Sequence, residues 1–151
     1  MRIVVDELTE PEVIALLGEH LGDMYATSPA ESVHALDLTA LRKPEITFWS
    51  IWEADALAGC GALKELNPAH GEIKSMRTAA TFRRRGIATL MLNHIITESR
   101  TRAYTHLSLE TGAQPYFAPA RHLYKRHGFR PCPPFADYTP DPNSIFMTLR
   151  L

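Results

Sequence analysis

Cysteine is scarce: only Cys60 and Cys132 occur in 151 residues, they form no close motif, and both are expected to be free thiols. No apolar run reaches the roughly 18 residues of a membrane span, and the charged-then-apolar pattern of a secretory leader is missing. Charge of one sign is also lacking, since 16 basic residues meet 17 acidic ones for a net charge of −1. A chain so balanced does not attract polyanions as a whole, which argues against nucleic acid as a partner. A cytoplasmic protein without a membrane partner is expected. What is present, 45% hydrophobic and 22% charged residues, suits one globular domain over residues 1–151 with a sizeable core.

Several catalytic patterns are absent too. The seven histidines contain no His-Glu-x-x-His arrangement, and His122 and His127 stand five apart, poorly placed for one helical face, so no metal site is expected. There is no Gly-x-Ser-x-Gly elbow, and neither cysteine has a helical or histidine-paired signature, which leaves covalent catalysis unsupported.

The chain reads as mixed α/β with no internal repeat. Arg2 to Asp6 is a short strand, followed by a Thr9-Glu10-Pro11-Glu12 capping box and a helix carrying Val13, Leu16, Leu17 and Leu21, with Gly22 as its stop. A second box, Ser28-Pro29-Ala30-Glu31, predicts a short helix to about Leu36. Ile46 to Glu53, Leu57 to Glu65 and Gly71 to Thr78 read as three consecutive antiparallel strands, joined at Ala54-Asp55-Ala56 and Asn67-Pro68-Ala69-His70. From Ile87 to about Thr101 the apolar residues form a broad helical stripe. Thr105 to Thr111 alternates as a strand with one polar face, Pro119 opens a helix that Gly128 ends, and Phe129 leads into an extended segment. Five prolines from Pro131 to Pro142 exclude regular structure there, and Ile145 to Leu151 alternates as a last strand.

One segment carries chemistry. Phe82-Arg83-Arg84-Arg85-Gly86-Ile87-Ala88 lies between a strand and the start of a helix. Backbone N–H groups at a helix start lack intrahelical partners and sit at the positive end of the dipole, where they bind phosphate oxygens. Gly86 supplies backbone freedom, the arginines supply fork-shaped donors, and Ala88 leaves room for a diphosphate. Alone, this cradle does not distinguish a nucleotide, a dinucleotide or coenzyme A.

A second signature decides between them. The chain resembles the Gcn5-related N-acetyltransferases, the GNAT superfamily, whose loop Arg/Gln-x-x-Gly-x-Gly/Ala is met by Arg83, Gly86 and Ala88. The family's Ala-x-x-Leu-Tyr-x-x-x-Gly-Phe is met by Ala120, Leu123, Tyr124, Gly128 and Phe129, one helix and one strand downstream. The resemblance implies a mostly antiparallel central sheet of six to seven strands flanked by about four helices. It implies acetyl-coenzyme A as co-substrate, held by Arg83, Arg84, Arg85, Gly86, Ile87, Ala88 and Thr89, with Met76, Arg77 and Thr78 along the pantetheine arm. It also implies direct attack by a primary amine of a small molecule or peptide in a ternary complex, Tyr124 as the acid at the sulfur, and an acceptor-binding segment over Tyr25 to Pro44. Where many members carry an asparagine, this chain has Phe117.

For a base, Glu72 and Glu110 are the candidates, each on a strand expected to border the cleft; Lys74 shares a strand face with Glu72, so a plain ion pair is equally open. A different class, a non-catalytic acyl-coenzyme A sensor, would keep the arginine loop and need neither Tyr124 nor a base. The edge of the last strand leaves a homodimer open.

Overall fold

The computed structural model describes residues 1–151. Strands β1 (Arg2–Val5), β2 (Ile46–Glu53), β3 (Ala56–Asn67), β4 (His70–Thr78), β5 (His106–Gly112), β6 (Arg130–Pro131) and β7 (Ser144–Arg150) form one sheet in the order β1-β2-β3-β4-β5-β7-β6. Helices α1 (Pro11–Thr27), α2 (Leu38–Leu41), α3 (Ile87–Thr101) and α4 (Ala118–Arg126) cover it. All neighbouring strands are antiparallel except β4 and β5. The pattern of elements predicts a mixed α/β chain, and the mostly antiparallel sheet is the one the resemblance implies.

The exceptional pair positions the site. β4 and β5 pair only over His70 to Glu72 against His106 to Ser108. Beyond that they continue unpaired to Thr78 and Gly112, and the sheet opens into a cleft. A bulge in β4 lies at the parting: Cys60 faces Arg77 and Ala62 faces Lys74, which leaves Ser75 and Met76 against Gly61 alone. Ser75 takes a φ of 55° there. Such an insertion bends the strand and sharpens its twist, turning β4 away from its neighbour.

Each face of the sheet has its own core. Leu63, Ile73, Leu107 and Leu109 pack against Met91, Leu92 and Ile95 of α3 and Leu123 of α4. The alternate positions Phe48, Cys60 and Ala62 face Val13, Leu16 and Leu17 of α1 and Leu41 of α2. Each large side chain so buried is worth about 1.5–3 kcal/mol, enough to hold both layers rigidly beside the cleft.

Three local expectations are corrected. Helix α1 does not stop at Gly22 but runs to Thr27, because Gly22 has open space around it and Pro29 provides the stronger break. Its cap position is Glu10 with no side-chain bond, so the Thr9 capping box does not form. The segment after Ser28 makes a 3₁₀ turn at Ala30–Ser32 rather than a helix to Leu36. The helix forms later, as α2, where the Asp37 side chain accepts from the Ala40 N–H at 2.8 Å.

Candidate active site

A cavity of about 430 Å³ fills the cleft between β4 and β5. The arginine loop, expected from the sequence to be an anion cradle, reaches this cavity through Arg83. Gly86 adopts φ 78°, in the left-handed region that favours glycine, and nothing lies within 4 Å of where a Cβ would sit. The first helical amide to bond is that of Leu90, to the Gly86 carbonyl at 3.0 Å. The Ile87, Ala88 and Thr89 amides precede any intrahelical acceptor. Free N–H groups at the positive end of a helix dipole are the kind of groups that suit an anion.

The three arginines divide. Arg83 lines the cavity. Arg84 is exposed at φ 63°, and Arg85 turns away, 3.0 Å from Glu53 and stacked on the Phe82 ring. The Ile87 side chain belongs to the core, so that residue offers only its amide. Met76, Arg77 and Thr78 line the unpaired edge of β4. The Arg77 guanidinium lies 2.6 Å from Asp23 of α1, and its bond to that carboxylate holds Asp23 below the usual carboxylate range. Beside it, burial and the Arg77 charge push the His20 imidazole down to about 4.

Tyr124 projects from α4 into the cavity, its ring packed against Phe129. Its hydroxyl has no hydrogen bond to the protein, and burial alone raises its pKa, so it stays protonated. Phe117, at the family's asparagine position, is a wall: its ring occupies the space a Cβ on Gly112 would take and stacks edge-on against Tyr116.

The structure separates the two glutamates. Glu110 of β5 lines the cavity, accepts a bond from Ser144 Oγ at 2.7 Å, and has its pKa raised chiefly by burial. Glu72, only 2% exposed, lies outside the cavity lining. Its Oε2 accepts from the Tyr138 hydroxyl at 2.6 Å and from Lys74 Nζ at 3.3 Å. The ion pair with Lys74, left open by the sequence, is present.

Tyr138 was not singled out by sequence reasoning. It sits in the proline-rich segment, irregular as expected beyond Pro131, and no motif marked it. Lys74 Nζ donates to the Tyr138 hydroxyl at 2.8 Å and to the His34 carbonyl at 3.1 Å, so one ammonium ties β4 to both covering segments. Ser32 Oγ donates to Asp141 Oδ2 at 2.6 Å and joins the two covers directly. No group of three or more His, Cys, Asp or Glu side chains is placed to hold a metal.

Comparison with known proteins accounts for this geometry. The sequence model of the Acetyltransferase (GNAT) family matches residues 13–129. An uncharacterized N-acetyltransferase of Bacillus subtilis, YsnE, is 59% identical over 151 residues, 100% of both chains. A second, YedL of Escherichia coli, is 52% identical over 99% of this chain and 94% of its own. The fold is shared with a GNAT acetyltransferase of Elizabethkingia anophelis solved with acetyl-CoA bound: TM-score 0.71, 18% identity, 99% of this chain and 97% of that one. The split sheet, the helix start beside it and the family match over most of the length lead to one conclusion: the chain belongs to the GNAT family and is an acyl-coenzyme A-dependent acetyltransferase.

Proposed function

We propose that the enzyme transfers the acetyl group of acetyl-coenzyme A to a primary amine of a small molecule or peptide, by direct attack in a ternary complex. The observation that carries this reading is the meeting of two groups in one cavity: the unpartnered Tyr124 hydroxyl, from the α4 face, and the Glu110 carboxylate, from β5.

Bound with its diphosphate at the Ile87 to Thr89 amides and its arm along Met76 to Thr78, acetyl-coenzyme A supplies an activated thioester. Arg83 adds positive charge beside the diphosphate. An alkylammonium with a pKa of about 10.4 costs roughly 4.6 kcal/mol to neutralise at pH 7, at about 1.36 kcal/mol per unit. A thiolate with a pKa of about 8.5 leaves readily by comparison. The base is thus the greater need, and Glu110 fills it, because its raised pKa brings it closer to the amine it must deprotonate. Glu72, already committed to Tyr138 and Lys74, holds the acceptor wall instead. The Tyr124 hydroxyl gives its proton to the departing sulfur.

The test is thiol release from acetyl-coenzyme A across amines, polyamines, amino acids, aminoglycosides and peptides, repeated with Tyr124→Phe. Turnover on at least one amine is expected, with the variant's kcat lowered tenfold or more and cofactor affinity unchanged. Weakened cofactor binding with normal kcat would remove Tyr124 from the acid role, and cofactor binding without turnover on any amine would refute the reaction.

A further inference from the structure

Of all the side chains that line the main cavity, Glu110 alone is acidic. The cationic ones are committed. Arg83 lies in the loop assigned to the donor, and Arg77 is paired with Asp23 at 2.6 Å. A lysine ammonium has three N–H donors, and Lys74 gives them to Glu72 Oε2 at 3.3 Å, to the Tyr138 hydroxyl at 2.8 Å and to the His34 carbonyl at 3.1 Å. Its charge is met by Glu72, buried with it. His34 turns its ring edge-on to Tyr138, with 4.9 Å between centroids. The charge that the acceptor end offers to a ligand is therefore the Glu110 carboxylate.

The same end is narrow. Ser32 Oγ donates to Asp141 Oδ2 at 2.6 Å and Asn143 Nδ2 donates to Ser32 Oγ at 3.4 Å, so the two covering segments are tied to each other. The whole cavity, about 430 Å³, lies near the bottom of the roughly 300–1,000 Å³ range of small-molecule sites, and the donor's arm must share it. Val33, Ile73 and Leu109, next in sequence to His34, Lys74 and Glu110, give the lining its apolar surface.

We propose that the acceptor is a small monoamine, with one ammonium, a short apolar body and no anionic group. This class rests on the acetyl-transfer reading, in which Glu110 faces the amine. One acidic side chain matches one ammonium. A second ammonium, as in a polyamine or an aminoglycoside, is left buried without a counter-charge. A carboxylate on the acceptor meets Glu110 and finds no free cation to hold it, because the Lys74 donors are all in use. A peptide has to pass its chain between segments that Ser32 and Asp141 hold together. Lys74 thus determines specificity by being unavailable: Glu72 neutralises its charge, and Tyr138 and the His34 carbonyl occupy its remaining donors.

The experiment compares acceptors of one chain length, pentylamine, cadaverine and δ-aminovalerate, which differ only in the group at the far end, together with a tripeptide amide. With thiol release as the readout, kcat/KM for pentylamine should exceed that for each of the others by about tenfold or more, the effect of one uncompensated buried polar group. In Glu72→Gln the Lys74 charge loses its counter-ion, and δ-aminovalerate should gain several-fold relative to pentylamine. Tyr138→Phe, which frees one Lys74 N–H, carries this arm if Glu72→Gln does not fold. Cadaverine, δ-aminovalerate or the peptide matching pentylamine overturns the class, and a selectivity unmoved in the folded variant overturns the role of Lys74. Turnover in the wrong order leaves acetyl transfer standing, whereas no turnover on any amine removes both, so the two failures are distinguishable.

Discussion

The two ends of the cleft are built from different materials. At the α3 end the groups proposed to hold the donor are main-chain amides released by a helix start, with Gly86 giving the turn and Arg83 adding charge. At the opposite end the groups are side chains, Glu110, Lys74, Tyr138 and Ser144, gathered from β4, β5, β7 and a loop. A main-chain cradle is specified by a few adjacent residues and serves any sequence that folds into a helix there. A side-chain network depends on residues far apart, each of which can be lost singly. The first suits a donor common to a whole family; the second suits an acceptor that differs from member to member.

The sharpest way to break the acceptor end is Glu110→Gln. A general base contributes about 10²–10⁴-fold, so kcat/KM on a basic amine should fall by that order while acetyl-coenzyme A affinity holds. In the parent enzyme, activity should climb with pH as Glu110 ionises, at a pH above the usual carboxylate range, and the variant should lose that limb. Stability should move the opposite way. A carboxyl with a raised folded-state pKa stabilises the fold below its unfolded pKa and loses that contribution as pH rises through the folded value. The melting temperature of the variant relative to the parent should therefore improve from acid to neutral pH. A flat difference would place Glu110 in solvent.

The donor end should break through the backbone. Gly86→Val forces a β-branched residue into φ 78°, at a cost of about 1–2 kcal/mol, and pushes side-chain atoms into the space where the diphosphate is assigned. Acetyl-coenzyme A affinity measured by calorimetry should drop tenfold or more, with kcat at saturation little changed. Unaltered affinity would move the donor away from the α3 start.

That difference in material also governs what could be read from the chain. Strand β2 and helix α3 follow from short-range periodicity, because each buries a face whose residues are neighbours in sequence, whereas the plan of six to seven strands came from the family resemblance. Gly86 was legible for the same reason. Tyr138 was not: its partner Glu72 lies 66 residues away, and only the folded sheet brings them to 2.6 Å. The stop at Gly22 failed because a glycine inside a well-packed amphipathic helix costs only about 1 kcal/mol relative to alanine, less than burial of that helix returns. The separation of Glu72 from Glu110 was hidden as well, since it arises where β4 and β5 part, and strand alternation alone puts both on one face.

Within the donor end, the finest distinction is between two neighbouring arginines. Arg83 lines the cavity and should contribute directly to the charge that a diphosphate meets; Arg83→Ala should raise the dissociation constant several-fold and make it less sensitive to salt. Arg85 is 47% exposed in its side chain and already paired with Glu53, itself 48% exposed. An exposed pair of this kind is worth about 0–1 kcal/mol, and the guanidinium points away from the helix start, so Arg85→Ala should change both affinity and melting temperature little. Equal losses from the two variants would mean that the loop acts by its summed field. Unequal losses would mean that the geometry of one side chain selects the donor, and that the run of three arginines contains one functional group.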